Sequence, residues 1–284
     1  MTFKKIRFVT DSVCDIPADL VEKWQISVVP CYVNYDGESH LDDGKDLVRE
    51  EFFRKLPSMR SMPTTAAPSV GITEKAITEA AQDADHVVIV TTPAKLSGIY
   101  NAMRLGASNI PAEKISLVDS GNLTMAIGWQ VIIGAEVAKE TGDVQKVLDA
   151  IQRVRNHQKL YAGLATMEFL RRSGRVGWAA ASLGALLQIK PILHVHDGEV
   201  TRLATIRTFS KAVEKLVELT REQAPLDRLA IIHANNPSGA DDLKKQLGDV
   251  APSSTIIVEV GPTLGVHIGP GALGVIPVSQ SWRQ

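Results

Sequence analysis

Three stretches of this chain place hydroxyl groups where an apolar run gives way to a turn: Thr10-Asp11-Ser12, Thr91 to Gly98, and Asp119-Ser120. Small hydroxyl residues at such points leave room for a guest molecule and offer it hydrogen bonds. Ser97-Gly98 adds the start of a helix, where the dipole and unpaired N–H groups favour negative charge. Gly98 also lets an anion approach closely. Thr64-Thr65 supplies two more hydroxyls on a segment stiffened by Pro63 and Pro68. Residues 260–274 surround His267 with five glycines and two prolines, a pattern that reads as a shaped loop holding one imidazole in place. Each motif also has a purely structural explanation. Asp-Ser and Ser-Gly can simply cap the next helix, and Thr64-Thr65 can form a turn.

Cationic groups cluster in Leu170-Arg171-Arg172-Ser173-Gly174-Arg175, and Arg202 and Arg207 lie on a later strand. Guanidinium groups suit carboxylate and phosphate geometry, although a solvated helix end would look the same.

Several chemistries lack their usual equipment. Gly269 to Gly274 spell G-x-G-x-x-G, but a strand-like Val275-Ile276-Pro277-Val278 follows where a nucleotide fingerprint needs a helix and a later acidic residue. There is no P-loop, no G-x-S-x-G elbow, no H-E-x-x-H and no Cys/His metal spacing. His233 has no cysteines placed to complete a metal site with it. A formal net charge of -1 gives no support for a nucleic-acid surface. No run approaches the roughly 18 apolar residues of a membrane span, and Met1 to Lys5 is not followed by a signal-peptide core. Cys14 and Cys31 are expected to stay reduced and buried in a cytoplasmic chain.

The elements that would position these groups follow from periodicity. Strands are predicted at 6–10, 26–35 (broken by Pro30), 86–91 and 114–118, with helices at 17–24, 46–56, 69–82, 98–108, 122–139 and 143–157. Asp15 is placed to cap the first of these helices, Ser97 the fourth, and 60–68 reads as a loop. This alternation predicts a parallel, Rossmann-like α/β domain over residues 1–158. From 159 to 284 the pattern predicts a mixed α+β domain. It has strands at 160–165, 191–195, 199–207, 229–233, 255–260 and 275–278, and helices at 167–172, 178–189, 209–223 and 239–247. Asp197-Gly198 signals a hairpin. Ligands of open parallel sheets sit beyond the carboxyl ends of the strands. Ser12, Ser97 and Ser120 should therefore share one rim.

Hydroxyls, a helix start and one imidazole amid apolar surface suit a carboxylate on an apolar tail. About 14 buried methylenes at ~0.8 kcal/mol each give roughly 11 kcal/mol of gross transfer energy, more than the several kcal/mol lost on association.

The same residues, in order, resemble the DegV family of bacterial fatty-acid-binding proteins. The resemblance runs along essentially the whole chain. It rests on Thr10-Asp11-Ser12 with Asp15, Pro63-Thr64-Thr65-Ala66-Ala67-Pro68-Ser69, Leu96-Ser97-Gly98-Ile99-Tyr100 and Val118-Asp119-Ser120. Further on come Leu170 to Arg175, Lys190-Pro191-Ile192-Leu193 with Asp197-Gly198, and Gly265 to Gly274. It implies two α/β domains with a long-chain fatty acid between them, its carboxylate held by Thr65, Ser97 and His267, with Gly98 beside them. Ser12, Thr64, Ser120 and Gly269 become candidates for the cleft wall. It implies no cofactor and no catalysis by the chain itself. Instead a separate ATP-binding kinase subunit phosphorylates the carboxylate, and the acyl phosphate feeds phospholipid synthesis. Arg171, Arg172 and Arg207 are then candidates to contact the partner or the acyl phosphate. The chain departs from the family pattern at Ala66-Ala67, Pro93, Ala94, Ile99 and Ser173. Two other functions fit the residues: a partner-free hydrolase with Ser97 or Ser120 as nucleophile and His267 as base, or a lipid-sensing or storage protein.

Overall fold

The structure is a computed structural model that describes residues 4–181 and 189–284. In chain order the first half contains β1 (Ile6–Asp11), α1 (Ala18–Trp24), β2 (Ser27–Val29), β3 (Tyr32–Tyr35), β4 (Glu38–Leu41), α2 (Arg49–Lys55) and β5 (Thr64–Ala66). It continues with α3 (Val70–Gln82), β6 (His86–Thr91), α4 (Ile99–Gly106), β7 (Ile115–Asp119), α5 (Met125–Thr141) and α6 (Val144–His157). The second half has β8 (Leu160–Gly163), α7 (Glu168–Ser173), α8 (Gly177–Ala180), β9 (Lys190–His196), β10 (Glu199–Ile206) and α9 (Phe209–Arg221). It closes with β11 (Leu226–His233), α10 (Pro237–Leu247), β12 (Ile256–Glu259), α11 (Pro262–Ile268) and β13 (Leu273–Ser279).

A four-stranded sheet of order β2-β1-β6-β7 is parallel throughout. Every residue of β6 is buried, as a near-continuous apolar strand covered on both faces should be. Val87 and Ile89 join a cluster with Val9, Ile77 and Met103, on the side of α3 and α4. Val88 and Val90 belong to another, with Phe8, Ile127 and Ile133, on the side of α5. The period-two alternation of the strand thus feeds two separate cores.

The second sheet is mixed, of order β10-β9-β8-β13-β11-β12, with only β11 and β12 parallel. Leu216 of α9 and Leu243 of α10 pack with Leu229, Ile231 and Val275 on one face. Leu193, Ile232 and Ile276 instead join the cluster that holds Trp129 and Ile132 of α5. One apolar core therefore runs through both halves. At Asp197-Gly198 both residues have positive φ (50° and 70°), the requirement of a two-residue hairpin turn. The tip of that hairpin lies on the rim of the first sheet, where Gly198 N donates to Gly121 O at 2.9 Å and Arg155 pairs with Asp197 at 2.7 Å.

Three expectations change. The run 26–35 is split between two sheets, because β3 leaves the parallel sheet to pair antiparallel with β4 and β5. Thr64–Ala66 is accordingly a strand, with Thr65 opposite Val33, and not part of a loop. The glycine-rich segment is not a loop over its first half. Pro262 stands in the first turn of α11 and Gly269 follows its last residue, the positions at which these two residues open and close helices. Of the helix expected over 178–189, α8 covers Gly177–Ala180, and residues 182–188 lie outside those described. Among the described residues no helix is long and apolar enough to cross a membrane.

Candidate functional site

Parallel pairing brings the carboxyl ends of β1, β6 and β7 to one rim. Thr92 N and Thr92 Oγ1 both donate to the Asp11 carboxylate, each at 2.8 Å, and Val13 N donates at 3.1 Å. Burial raises the Asp11 pKa to about 6, against the opposing pull of those hydrogen bonds. Ser12 is buried too. Its hydroxyl donates to Asp42 Oδ2 at 3.3 Å and accepts from Cys31 N at 3.1 Å. Ser120 has no exposed surface. Its hydroxyl closes a turn, donating to Asn122 O and accepting from Asn122 N, each at 3.1 Å. Both serines, expected on the cleft wall, thus spend their hydroxyls on internal partners beneath the strand ends. Cys14 and Cys31 are buried free thiols.

Ser97 and Gly98 lie at the start of α4. The helix begins at Ile99, so Gly98 takes the cap position expected for Ser97. Ser97 Oγ still accepts from Ile99 N at 3.3 Å. A Cβ built on Gly98 would come 3.9 Å from Ala67 Cβ, which places this helix start beside the end of β5. Thr65, in the middle of β5, has its Oγ1 3.1 Å from His267 Nε2. Thr64 is exposed. The helix start, the threonine strand and the imidazole are therefore neighbours, although they come from three distant stretches of chain.

His267 sits near the end of α11. The residue keeps some exposed surface, but its Nδ1 is buried without a partner. Burial of the ring, with Arg175 adding positive charge, lowers its pKa to about 4. A neutral imidazole carries one N–H. Placing it on Nε2, where Thr65 Oγ1 can accept, leaves only a lone pair unmatched at Nδ1, whereas the other tautomer buries an unpaired donor. The Thr65 hydroxyl proton is then free to donate outward. Gly269, next after α11, has φ of +71°, and a Cβ there would fall 2.2 Å from the Phe169 ring. Phe169 thus rests directly on the glycine backbone. Beside it lies a cavity of about 160 Å³ bordered by Leu56, Met59, Met62, Phe169, Arg172 and Pro270.

The other end of α11 is held by carboxylates. Asp15 does not cap α1. It takes a left-handed conformation before that helix, and its Oδ1 accepts from Gly261 N at 2.7 Å. Asp42 Oδ2 accepts from Thr263 N at 3.1 Å. Arg49 lies 3.4 Å from Asp15 and also donates to the Glu259 carbonyl. Burial raises the Asp15 pKa to about 7, with Arg49 opposing, and raises that of Asp42 as well.

Arg171 and Arg172 lie on α7, which packs against α11. Arg172 pairs with Glu168 one turn earlier at 2.6 Å, and Arg171 Nε is buried without a partner. Arg207 is exposed just after β10, the outer strand of its sheet. Sequence reasoning missed the roles of Asp42, Arg49 and Arg175. Arg175 stood within a motif already noticed, but Asp42 sits in a polar turn whose partner, Thr263, lies 221 residues away.

A family model described as an uncharacterised protein of the DegV family matches residues 5–280. The chain belongs to the DegV family. DegV domain-containing proteins of Clostridium perfringens and Streptomyces coelicolor are 30% and 31% identical to it over 283 residues, with 97% and 98% of this chain and 99% of each relative covered. Among solved structures, a DegV-family protein from Thermus thermophilus described by its fatty acid binding superposes with a TM-score of 0.89. It is 30% identical, over 97% of this chain and 99% of that one. DegV of Bacillus subtilis, described as a fatty acid binding protein, gives 0.86 at 26% identity, over 97% of this chain and the whole of that one. The parallel and mixed sheets found here are thus those of fatty-acid-binding DegV structures.

Proposed function

We propose that this DegV-family chain binds a long-chain fatty acid and presents its carboxylate to a kinase partner. The observation that carries this reading is the 3.1 Å contact between Thr65 Oγ1 and His267 Nε2, beside the start of α4. With Nε2–H donating to Thr65, the Thr65 hydroxyl donates to one carboxylate oxygen. Ser97 Oγ and the N–H groups around Gly98 serve the other, at the positive end of a helix dipole. A neutral His267 suits this arrangement, because it orients Thr65 without requiring a buried charge of its own.

The T. thermophilus and B. subtilis relatives support a fatty acid as the guest. The 160 Å³ cavity beside Phe169 is smaller than the 300–1,000 Å³ usual for ligand pockets, so an acyl chain would displace packed apolar side chains as it enters. The chain itself supplies orientation and no chemistry. A carboxylate oxygen attacks the γ-phosphoryl of ATP held by a separate, cytoplasmic kinase subunit, giving acyl phosphate and ADP. Arg171 and Arg172, beside α11, and Arg207 are the candidates to meet that partner or the developing phosphate.

Solvent extraction of the purified protein followed by mass spectrometry tests the first step. Recovery of fatty acid at near one mole per mole is expected. Failure to recover any, together with no uptake of added palmitate, would remove the reading. The kinase step is tested by acyl phosphate formation from ATP, which should require both this chain and an added kinase subunit.

A further inference from the structure

We infer that Asp15 and Asp42 are the positioning residues for His267: from the first half of the chain they hold the N-terminus of α11 and so set the distance between His267 and Thr65. The inference rests on the reading of those two residues as part of the head-group site.

The first turn of any helix leaves N–H groups without internal partners. In α11 no side chain of its own segment caps them, and the cap residue is Gly261. The partners come instead from across the molecule. Asp15 Oδ1 takes Gly261 N at 2.7 Å and Asp42 Oδ2 takes Thr263 N at 3.1 Å, from 246 and 221 residues away. Both carboxyl groups are buried, with exposures of 1% and 4%. In either protonation state each carboxyl group keeps an oxygen that accepts from these N–H groups. Each is itself braced. Ser12 donates to Asp42, while Arg49 approaches Asp15 and ties it to the Glu259 carbonyl just before α11.

Two close approaches add to these hydrogen bonds. A Cβ at Gly261 would lie 2.9 Å from Asp42 Oδ2 and 3.3 Å from Asp15 Oδ1. A Cβ at Gly265 would lie 2.5 Å from the Phe53 ring of α2. The helix is thus pressed onto the first half at its start and along its side. Seven residues at 1.5 Å rise span only about 10 Å, so a shift at the carboxylate end moves the imidazole at the other. The buried aspartates, whose polar partners are Gly261, Thr263, Ser12 and Arg49, act through this short rod.

The test compares wild type with Asp15→Ala, Asp42→Ala and Asp42→Asn in two readouts. One is palmitate affinity. The other, which needs no ligand, is the nitrogen-15 signature of the His267 imidazole in a uniformly labelled protein. Each alanine variant, if folded by circular dichroism, should bind palmitate about tenfold more weakly and shift the Nε2 resonance. Asp42→Asn keeps an acceptor oxygen for Thr263 N and should stay within about threefold of wild type. Folded alanine variants that bind within twofold of wild type and keep its imidazole resonances would overturn the inference. Should an alanine variant fail to fold, Gly261→Ala replaces it, since its Cβ must push the Asp42 carboxylate away while both aspartates remain. Wild-type affinity and resonances in Gly261→Ala would overturn the inference equally. A wild type that binds no palmitate would defeat the proposed function instead, while the imidazole resonances would still decide the positioning role.

Discussion

Thr65 Oγ1 and His267 Nε2 lie 3.1 Å apart although 202 residues separate them in sequence. The threonine comes from a three-residue strand and the histidine from a seven-residue helix, both too short to hold their place alone. Their meeting depends on the long-range pairing of β5 with β3 and on the carboxylates that seat α11.

Because the ring is enclosed, His267 should stay neutral at pH 7 and titrate near pH 4, which its Cε1 proton resonance would report. A folded pKa below the unfolded value means that the unfolded chain binds the proton first. Stability from this group is therefore lost as the pH falls from about 6.5 to 4. His267→Gln should lose less stability than wild type over that window in urea titrations; equal losses would place the imidazole in a solvated site.

Asp15 works in the opposite sense. Its folded pKa is raised from 3.8 to about 7, so the native state holds a proton that the unfolded chain has released. Its contribution to stability is present below about pH 4 and declines as the pH rises to 7. The groups facing it are Arg49, the Thr124 hydroxyl, Asp42 and the Gly261 N–H. Asp15→Asn does not titrate, so the stability gap between wild type and this variant should narrow as the pH rises from 4 to 7. A gap that widens would show that the Arg49 pairing dominates.

Gly98 and Gly269 should respond differently to alanine. At Gly98 φ is -69° and the nearest contact for a Cβ is 3.9 Å away. Gly98→Ala should leave stability within about 0.5 kcal/mol of wild type while weakening palmitate binding several-fold, through the loss of close approach to the backbone. At Gly269 the positive φ and the Phe169 ring at 2.2 Å both oppose a side chain. Gly269→Ala should cost about 2 kcal/mol or more in denaturant titration.

Much of the architecture is legible locally. The uninterrupted apolar run of β6 and the alternation around it announce a parallel sheet, and from that the shared rim of Asp11, Thr92 and Asp119 follows. Asp197-Gly198 announces its hairpin by residue type alone. Short elements fail the same test. Thr64–Ala66 has no apolar alternation, and its strand character exists only through Val33 and its neighbours. In α11 the glycines mimic a loop, yet Gly265 is needed because Phe53 occupies the space a Cβ would take. Ser12 and Ser120 follow the ends of β1 and β7, but no local pattern reveals that Asp42 and Asn122 engage their hydroxyls. Asp15 reads as a helix cap because a helix does follow it, while its true partner, Gly261, is 246 residues away.

The most direct measurement is the carbon-13 resonance of carboxyl-labelled palmitate titrated into wild type and into Thr65→Val. Valine keeps the shape of threonine and replaces its hydroxyl with a methyl group. The expected result is a distinct bound carboxyl resonance with wild type, shifted in Thr65→Val, and an affinity about tenfold weaker, the magnitude of a lost hydrogen bond to a charged group. An identical bound resonance and affinity in both proteins would contradict a head-group site at Thr65 and His267.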